Sequence, residues 1–103
     1  MKTSIKLDGT TYVNDLGPMV GKTIIAFQDS TFTYNERNIL RSAGYWYISE
    51  DKRYVILKGR SDVLQKKNDG VFMIDVDLRL RVKNKKTLID IQNGFTYVLI
   101  SDI

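Results

Sequence analysis

Val71-Phe72-Met73-Ile74-Asp75-Val76-Asp77-Leu78-Arg79-Leu80-Arg81-Val82-Lys83 alternates two kinds of side chain. Phe72, Ile74, Val76, Leu78, Leu80 and Val82 form one set, and Met73, Asp75, Asp77, Arg79, Arg81 and Lys83 the other. A strand points successive side chains to opposite faces, whereas a helix would spread both sets around its circumference. The stretch predicts one long β-strand with a dry face and a charged face, in an antiparallel sheet wetted on one side. A straight strand of about 13 residues would run ~40 Å, beyond the usual length, so a bend or bulge is expected.

Working outward, turn chemistry divides the rest of the chain into short strands. Ile5 and Leu7 lead into Asp8-Gly9, a type I′ hairpin dipeptide, and Thr10–Val13 returns from it. Asn14–Gly21 contains Gly17-Pro18 and reads as a loop. Lys22–Gln28 and Thr31–Tyr34 read as a hairpin about Asp29-Ser30. Asn35–Ser42, with Ile39 and Leu40 among polar residues, is the one stretch that reads as a short helix, too short to stand without tertiary support. Gly44–Ser49 and Arg53–Lys58 flank a turn at Glu50-Asp51-Lys52, and Gly59–Gly70 reads as a polar loop. After the long strand come a tight turn at Asn84-Lys85, a strand over Thr87–Gln92, the hairpin dipeptide Asn93-Gly94 and a closing strand over Phe95–Ile100. About eight or nine locally connected strands predict an all-β fold, either a small up-and-down β-barrel or a two-sheet sandwich. A long strand serving both halves of a sheet favours the antiparallel barrel, as a single domain over residues 1–103.

Composition narrows the chemistry. No histidine and no cysteine occur in the 103 residues, so the commonest general base, thiol nucleophiles, thiolate metal sites and disulfides are all excluded. The expectation is a protein that is not an enzyme and carries no cofactor and no metal. Gly17-Pro18-Met19-Val20-Gly21-Lys22-Thr23 resembles a phosphate-binding loop but is one residue short of it, and strand-like Ile24–Phe27 follows where that motif needs a helix. Asp75 and Asp77 share a strand face at ~7 Å, a spacing that could hold a hard cation, but Arg79 and Arg81 follow on the same face and balance them. No apolar stretch approaches the ~20 residues of a membrane helix. The N-terminus carries no signal-peptide core, which fits a cytoplasmic protein or an exported one whose leader has been removed.

Charge is unevenly placed. The net charge is +4, and residues 60–86 hold eight bases and four acids while the remainder holds eight of each. Arg79, Arg81, Lys83, Lys85 and Lys86 form an acid-free run suited to an anionic partner; strand-end lysines also discourage edge-to-edge aggregation. Aromatic residues are the other resource. Tyr45 and Tyr47 lie on one strand face, Trp46 and Ile48 on the other, so one pair faces inward. Tyr34, Tyr45, Trp46, Tyr47, Tyr54 and Tyr97 are the candidate ligand-binding residues. Outside the sheet, tyrosines beside bases would make a stacking-plus-phosphate surface; inside a barrel, their hydroxyls would suit a small amphipathic ligand.

Three segments carry a family resemblance: Ile24-Ile25-Ala26-Phe27-Gln28-Asp29-Ser30-Thr31-Phe32-Thr33-Tyr34, Gly44-Tyr45-Trp46-Tyr47-Ile48-Ser49-Glu50-Asp51 and Tyr54-Val55-Ile56-Leu57. With them the chain resembles, over residues 20–58, the small lipocalin-like domains of bacterial proteins. That family's opening Gly-x-Trp strand has no counterpart in residues 1–20. The resemblance implies an antiparallel barrel without catalysis.

These readings converge on a non-enzymatic binding module that sequesters a small ligand or docks on a protein partner. The alternatives are nucleic-acid binding through residues 79–86 and nearby tyrosines, and a small phage or mobile-element inhibitor. Strand edges could pair two copies into a homodimer.

Overall fold

The structure, a computed structural model, describes the backbone of residues 7–37, 39–65 and 70–102, and their side chains except over 61–75 and 101–102. It contains eight strands: β1 (Thr10–Asp15), β2 (Lys22–Gln28), β3 (Thr31–Glu36), β4 (Ile39–Ile48), β5 (Tyr54–Gln65), β6 (Gly70–Asn84), β7 (Thr87–Asp90) and β8 (Thr96–Asp102). Each strand pairs antiparallel with the next, and β1 pairs with β8, so the meander closes into a barrel rather than a sandwich. No helix occurs among the described residues, and none is long and apolar enough to cross a membrane. The ladder between β1 and β8 runs Thr10–Asp102 to Val13–Val98, with a bulge after Thr11.

The two-residue alternation sorts side chains between interior and exterior. Tyr12, Ile25, Phe27, Phe32, Val55, Leu57, Leu80, Leu88 and Tyr97 are fully buried on the inner face, with Leu7 from the segment before β1. Trp46, Ile48, Leu78, Val82 and Leu99 pack partly buried against them. Within the predicted dry face, Leu78, Leu80 and Val82 thus point inward; Phe72 and Ile74 lie outside the described side chains. The expected irregularity of the long strand is a register shift between Val82 and Asn84 opposite β7.

Two expectations are corrected. Asn35–Ser42 is not helical: β3 continues to Glu36, Arg37 turns the chain with a φ of 54°, and β4 begins at Ile39. A bulge between Tyr34 and Asn35 breaks the alternation there, and cross-strand bonds override a weak helical pattern. Gly59–Gly70 is not a simple loop either, because β5 runs on to Gln65 and pairs with β6 as far as Gly70. Gly59 sits in this ladder opposite Gly44 of β4, and the two backbones press together. A Cβ on Gly44 would stand 2.1 Å from the Lys58 carbonyl oxygen, and one on Gly59 would stand 2.2 Å from that of Ala43. Only glycine permits this approach.

β4 pairs with β5 as far as Ser61, and β7 pairs with β6 from Leu80 onward. The β5–β6 ladder from Asp62 to Gln65 and from Gly70 to Met73 therefore extends beyond both neighbours. The β1–β2 loop, the β3–β4 turn and the loop after β7 lie at this same end of the barrel, while the segment before β1 and the end of β8 lie at the other.

Candidate functional site

The outer face of β4, β5 and β6 gathers most of the residues with chemistry to offer. Register places three cross-strand rows there: Ala43–Arg60–Asp75, Tyr45–Lys58–Asp77 and Tyr47–Ile56–Arg79; Tyr54 opposite Arg81 extends the set. Tyr45 and Tyr47 are 54% and 44% exposed, because inward Trp46 and Ile48 fix their parity outward. Ile56 occupies an outer position and is nevertheless buried, since Tyr47 and Arg79 flank it in its own row. A surface groove of about 440 Å³ runs along this wall between Tyr45, Lys58, Gly59, Arg60, Val76 and Asp77.

Electrostatics within the wall departs from the sequence reading. Asp77 is balanced by Lys58, whose Nζ donates to Asp77 Oδ2 at 2.9 Å, and not by Arg79 along the strand. A direct cross-strand neighbour stands nearer than the next same-face residue of one strand. The hydrogen bond to Asp77, followed by its charge, holds the Lys58 ammonium above the usual lysine range. Asp75 lies outside the described side chains. Arg79 and Arg81 project from the wall, and exposed Lys83, Lys85 and Lys86 continue the basic run around the end of β6 and its turn. An Asx turn and a backbone bond hold that turn: the Asn84 side-chain Oδ1 accepts from the Lys86 amide at 2.8 Å, and the Lys86 carbonyl accepts from the Leu99 amide at 2.8 Å.

The wall's far edge is ordered by the β4–β5 turn. Asp51 accepts from the Ser49 hydroxyl at 2.7 Å and from the Arg53 amide at 3.0 Å. The Ser49 bond first, then the amide, draws the Asp51 carboxyl below its ordinary range.

A second cluster lies inside the barrel at the end of the β5–β6 extension. Asn14, Thr23 and Glu36 are successive cross-strand neighbours on β1, β2 and β3, with Glu36 at the exposed mouth, where its carboxylate lies 3.6 Å from Arg41 Nε, and Tyr34, Ser42, Asp90 and Tyr97 complete a polar layer above the apolar core. Asn14, Thr23, Ser42, Asp90 and Tyr97 are buried. Asn14 Nδ2 donates to the Thr96 carbonyl at 2.9 Å, while its buried Oδ1 has no protein partner. Asp90 caps its own turn, accepting from the Gln92 amide at 2.8 Å. Burial, reinforced by the neighbouring Tyr34 phenol, pushes the Tyr97 hydroxyl far above the usual tyrosine range. Burial also raises Tyr12, whose hydroxyl donates to the Lys85 carbonyl at 3.2 Å.

The six candidate aromatic residues therefore do not form one site. Tyr34 and Tyr97 meet in the inner layer. Trp46 belongs to the core, edge-on to Phe27 at 5.7 Å, with its Nε1 donating to the Gln28 carbonyl at 3.2 Å. Tyr45, Tyr47 and half-buried Tyr54 face outward. Sequence reading missed Lys58 and Arg60 of the wall, although they continue the parity of Tyr54 and Ile56, and it missed Asn14, to which no motif points.

The phosphate-loop look-alike over residues 17–23 enters β2, a strand. Its backbone is held by Arg37, whose Nε donates to the Val20 carbonyl at 2.7 Å and whose guanidinium also reaches that of Met19 at 3.2 Å. Among the described residues, no three His, Cys, Asp or Glu side chains gather to hold a metal. Comparison with protein-family models, with curated proteins and with solved structures finds no match for this chain.

Proposed function

We propose that the chain is a non-enzymatic binding module that works through the outer wall of β4, β5 and β6, and that its ligand is single-stranded nucleic acid. The observation that carries this reading is the pair of exposed tyrosines, Tyr45 and Tyr47, in rows shared with Lys58 and Arg79 beside an open groove. Aromatic faces stack on unpaired bases at ~1–3 kcal/mol each, and flanking bases follow the phosphates. The large buried side chains filling the apolar core favour an external surface over an internal calyx. The eight-stranded meander accords with the lipocalin-like resemblance of residues 20–58 and leaves the ligand open.

Fluorescence anisotropy with a labelled 12-mer of deoxythymidine in 50 mM salt tests the proposal. Micromolar binding is expected, weakening about fivefold or more for Tyr45→Ala with Tyr47→Ala. Three or four phosphate contacts would give a log–log salt slope of roughly −2 to −3. No anisotropy change at 100 µM protein refutes the reading.

The unpartnered Asn14 Oδ1 beside Tyr34 and Tyr97 favours a second reading, a small amphipathic ligand whose donor group enters the polar layer. Native mass spectrometry of protein purified without denaturation tests it: a retained mass lost in Asn14→Leu supports it, and a bare chain mass counts against it.

A further inference from the structure

The polar layer at the barrel mouth holds a charge that the fold leaves unbalanced. Asp90, on the inner face of β7, is 3% exposed. Its Oδ1 accepts from the Gln92 amide at 2.8 Å, and among the described residues no base is paired with it. Aspartate is seldom buried so far without a cation beside it. Its neighbours are acceptors as well. Asn14 is 8% exposed and sends Nδ2 to the Thr96 carbonyl; Thr96 pairs with Ile89, the residue next to Asp90. The other end of that amide, Asn14 Oδ1, is buried without a protein partner. The charges of Asp90 and Glu36 both reach the Tyr97 hydroxyl, which meets that of Tyr34. Arg41 balances Glu36 at the rim, and nothing described balances Asp90.

We infer that this mouth receives a protonated primary amine on an apolar stem, its ammonium held by Asp90, Asn14 and Tyr97. The inference rests on the second reading above, a small amphipathic ligand in the polar layer, and gives that ligand its charge and head group. An ammonium carries three donors and no acceptor. The layer offers it a carboxylate, an amide oxygen and a phenol oxygen. A hydroxyl head would leave Asp90 unbalanced, and a carboxylate head would set like charges together. A hard divalent cation takes six to eight oxygen ligands, several of them carboxylates, and no three acidic side chains gather among the described residues.

Access and the stem follow from the same alternation. Tyr34 lies on the inner face, opposite Ile25 and Ser42, yet it is only half-buried, so solvent enters the mouth as far as this side chain. Asn14 Oδ1 is closed to solvent. A side chain of the layer must turn to admit the head group, and half-buried Tyr34 has the freedom to do so. Leu16, two residues past inward Asn14, and Ile39, opposite Glu36, stand at the lip, 38% and 52% exposed. An apolar stem lies against them while its ammonium sits below.

Two-dimensional 1H–15N NMR of the full chain, titrated with n-hexylammonium, 1-hexanol and hexanoate to 10 mM at pH 7, tests this. Hexylammonium should shift the backbone amides of Asn14, Gln92, Thr96 and Tyr97 together and saturate with a Kd on the order of 1 mM. Hexanol should bind at least tenfold more weakly, and hexanoate should leave these amides in place. Asp90→Asn keeps an acceptor for the Gln92 amide while removing the charge; it should weaken hexylammonium at least tenfold and leave hexanol as it was. Tyr45→Ser on the outer wall should change neither. The comparison of amine with alcohol uses the unaltered chain and so decides the matter even where Asp90→Asn fails to fold. Equal binding of hexylammonium and hexanol overturns the inference and leaves a small amphipathic ligand in place. Binding of hexanoate alone, or shifts confined to the outer wall, overturns it too. No shift from any of the three removes the inference and the inner-ligand reading together, and assigns Asn14 Oδ1 to an internal water.

Discussion

The outer residues of β1–β3 and those of β4–β6 follow the same alternation around one core, yet the two walls present different chemistry. The first turns Thr11, Val13, Ile24, Ala26, Thr33 and Asn35 outward, all but Thr33 half-buried; the second turns out Tyr45, Tyr47, Lys58, Arg60, Asp77, Arg79 and Arg81, all but half-buried Lys58 exposed. Inside, the walls share side chains: Phe27 of β2 stands edge-on to Tyr12 of β1 at 5.9 Å and to Trp46 of β4 at 5.7 Å. Fold stability thus belongs to the interior, which both walls hold in common, and surface chemistry is free to differ between them. Substitutions inside should unfold both walls together, whereas substitutions outside should change surface chemistry and leave the fold in place.

The largest effect is expected where the second wall depends on missing side chains. Gly44→Ala or Gly59→Ala would drive a methyl group against backbone of the adjacent strand. A loss of roughly 3 kcal/mol or more, or failure to fold, should appear in urea unfolding. Gly94→Ala is the control. Nothing lies within 4 Å of its added Cβ, and only its φ of 79° opposes the change, at about 1–2 kcal/mol. Equal losses at Gly44 and Gly94 would remove the argument for a close crossing of β4 and β5.

Next comes the side chain the walls share. Phe27→Ala should cost about 3–5 kcal/mol. In a double-mutant cycle with Trp46→Leu, measured by urea unfolding, the coupling should reach roughly 0.5–1.5 kcal/mol. Additive losses would mean that the edge-on contact contributes nothing beyond burial.

Much of this architecture is legible in residue order. The span of β2 matches its pattern of β-branched and aromatic residues, and β6 extends the alternating stretch by one residue at each end. Gly94, with its positive φ, turns the chain where Asn93-Gly94 says it should. What could not be read is whatever depends on register. Ile39-Leu40-Arg41-Ser42 looks helical until the bulge at Tyr34 brings it alongside β3. Gly59 looks like the start of a loop until Gly44 lies opposite it. Alternation shows that Tyr45 opposes Trp46, but which of the two points inward is settled by seven other strands. For the same reason Tyr34 and Tyr97, 63 positions apart in the chain, meet inside while Tyr45 and Tyr47 do not.

The buried phenols of the interior give a pH test of intermediate size. Tyr12 on β1 and Tyr97 on β8 are both raised above the usual value near 10, chiefly by burial. Between that value and the folded pKa, the unfolded chain releases a proton that the folded chain retains. The unfolded state then binds fewer protons, so stability falls as pH rises, by up to about 1.4 kcal/mol per pH unit for each tyrosine. Below pH ~10 neither group contributes a slope. Urea midpoints should fall steeply between pH 10 and 11, and Tyr97→Phe should flatten the decline. A midpoint constant to pH 11 would mean that these hydroxyls ionise as easily in the fold as out of it.

The smallest effect separates the walls most cleanly. Lys58 and Asp77 pair at 2.9 Å with side chains 39% and 55% exposed, where solvent screens most of the attraction. Such an exposed pair adds little to folding, so Lys58→Met should move the urea midpoint little. The same change removes one positive charge from the row containing Tyr45 and leaves Asp77 without its bond from Lys58. Oligonucleotide affinity at 50 mM salt should therefore fall about two- to fivefold, with a shallower salt slope. A large fall in the urea midpoint would make Lys58 a structural residue. Unchanged oligonucleotide affinity would remove it from the binding face and leave Arg79 and Arg81 to carry the phosphates.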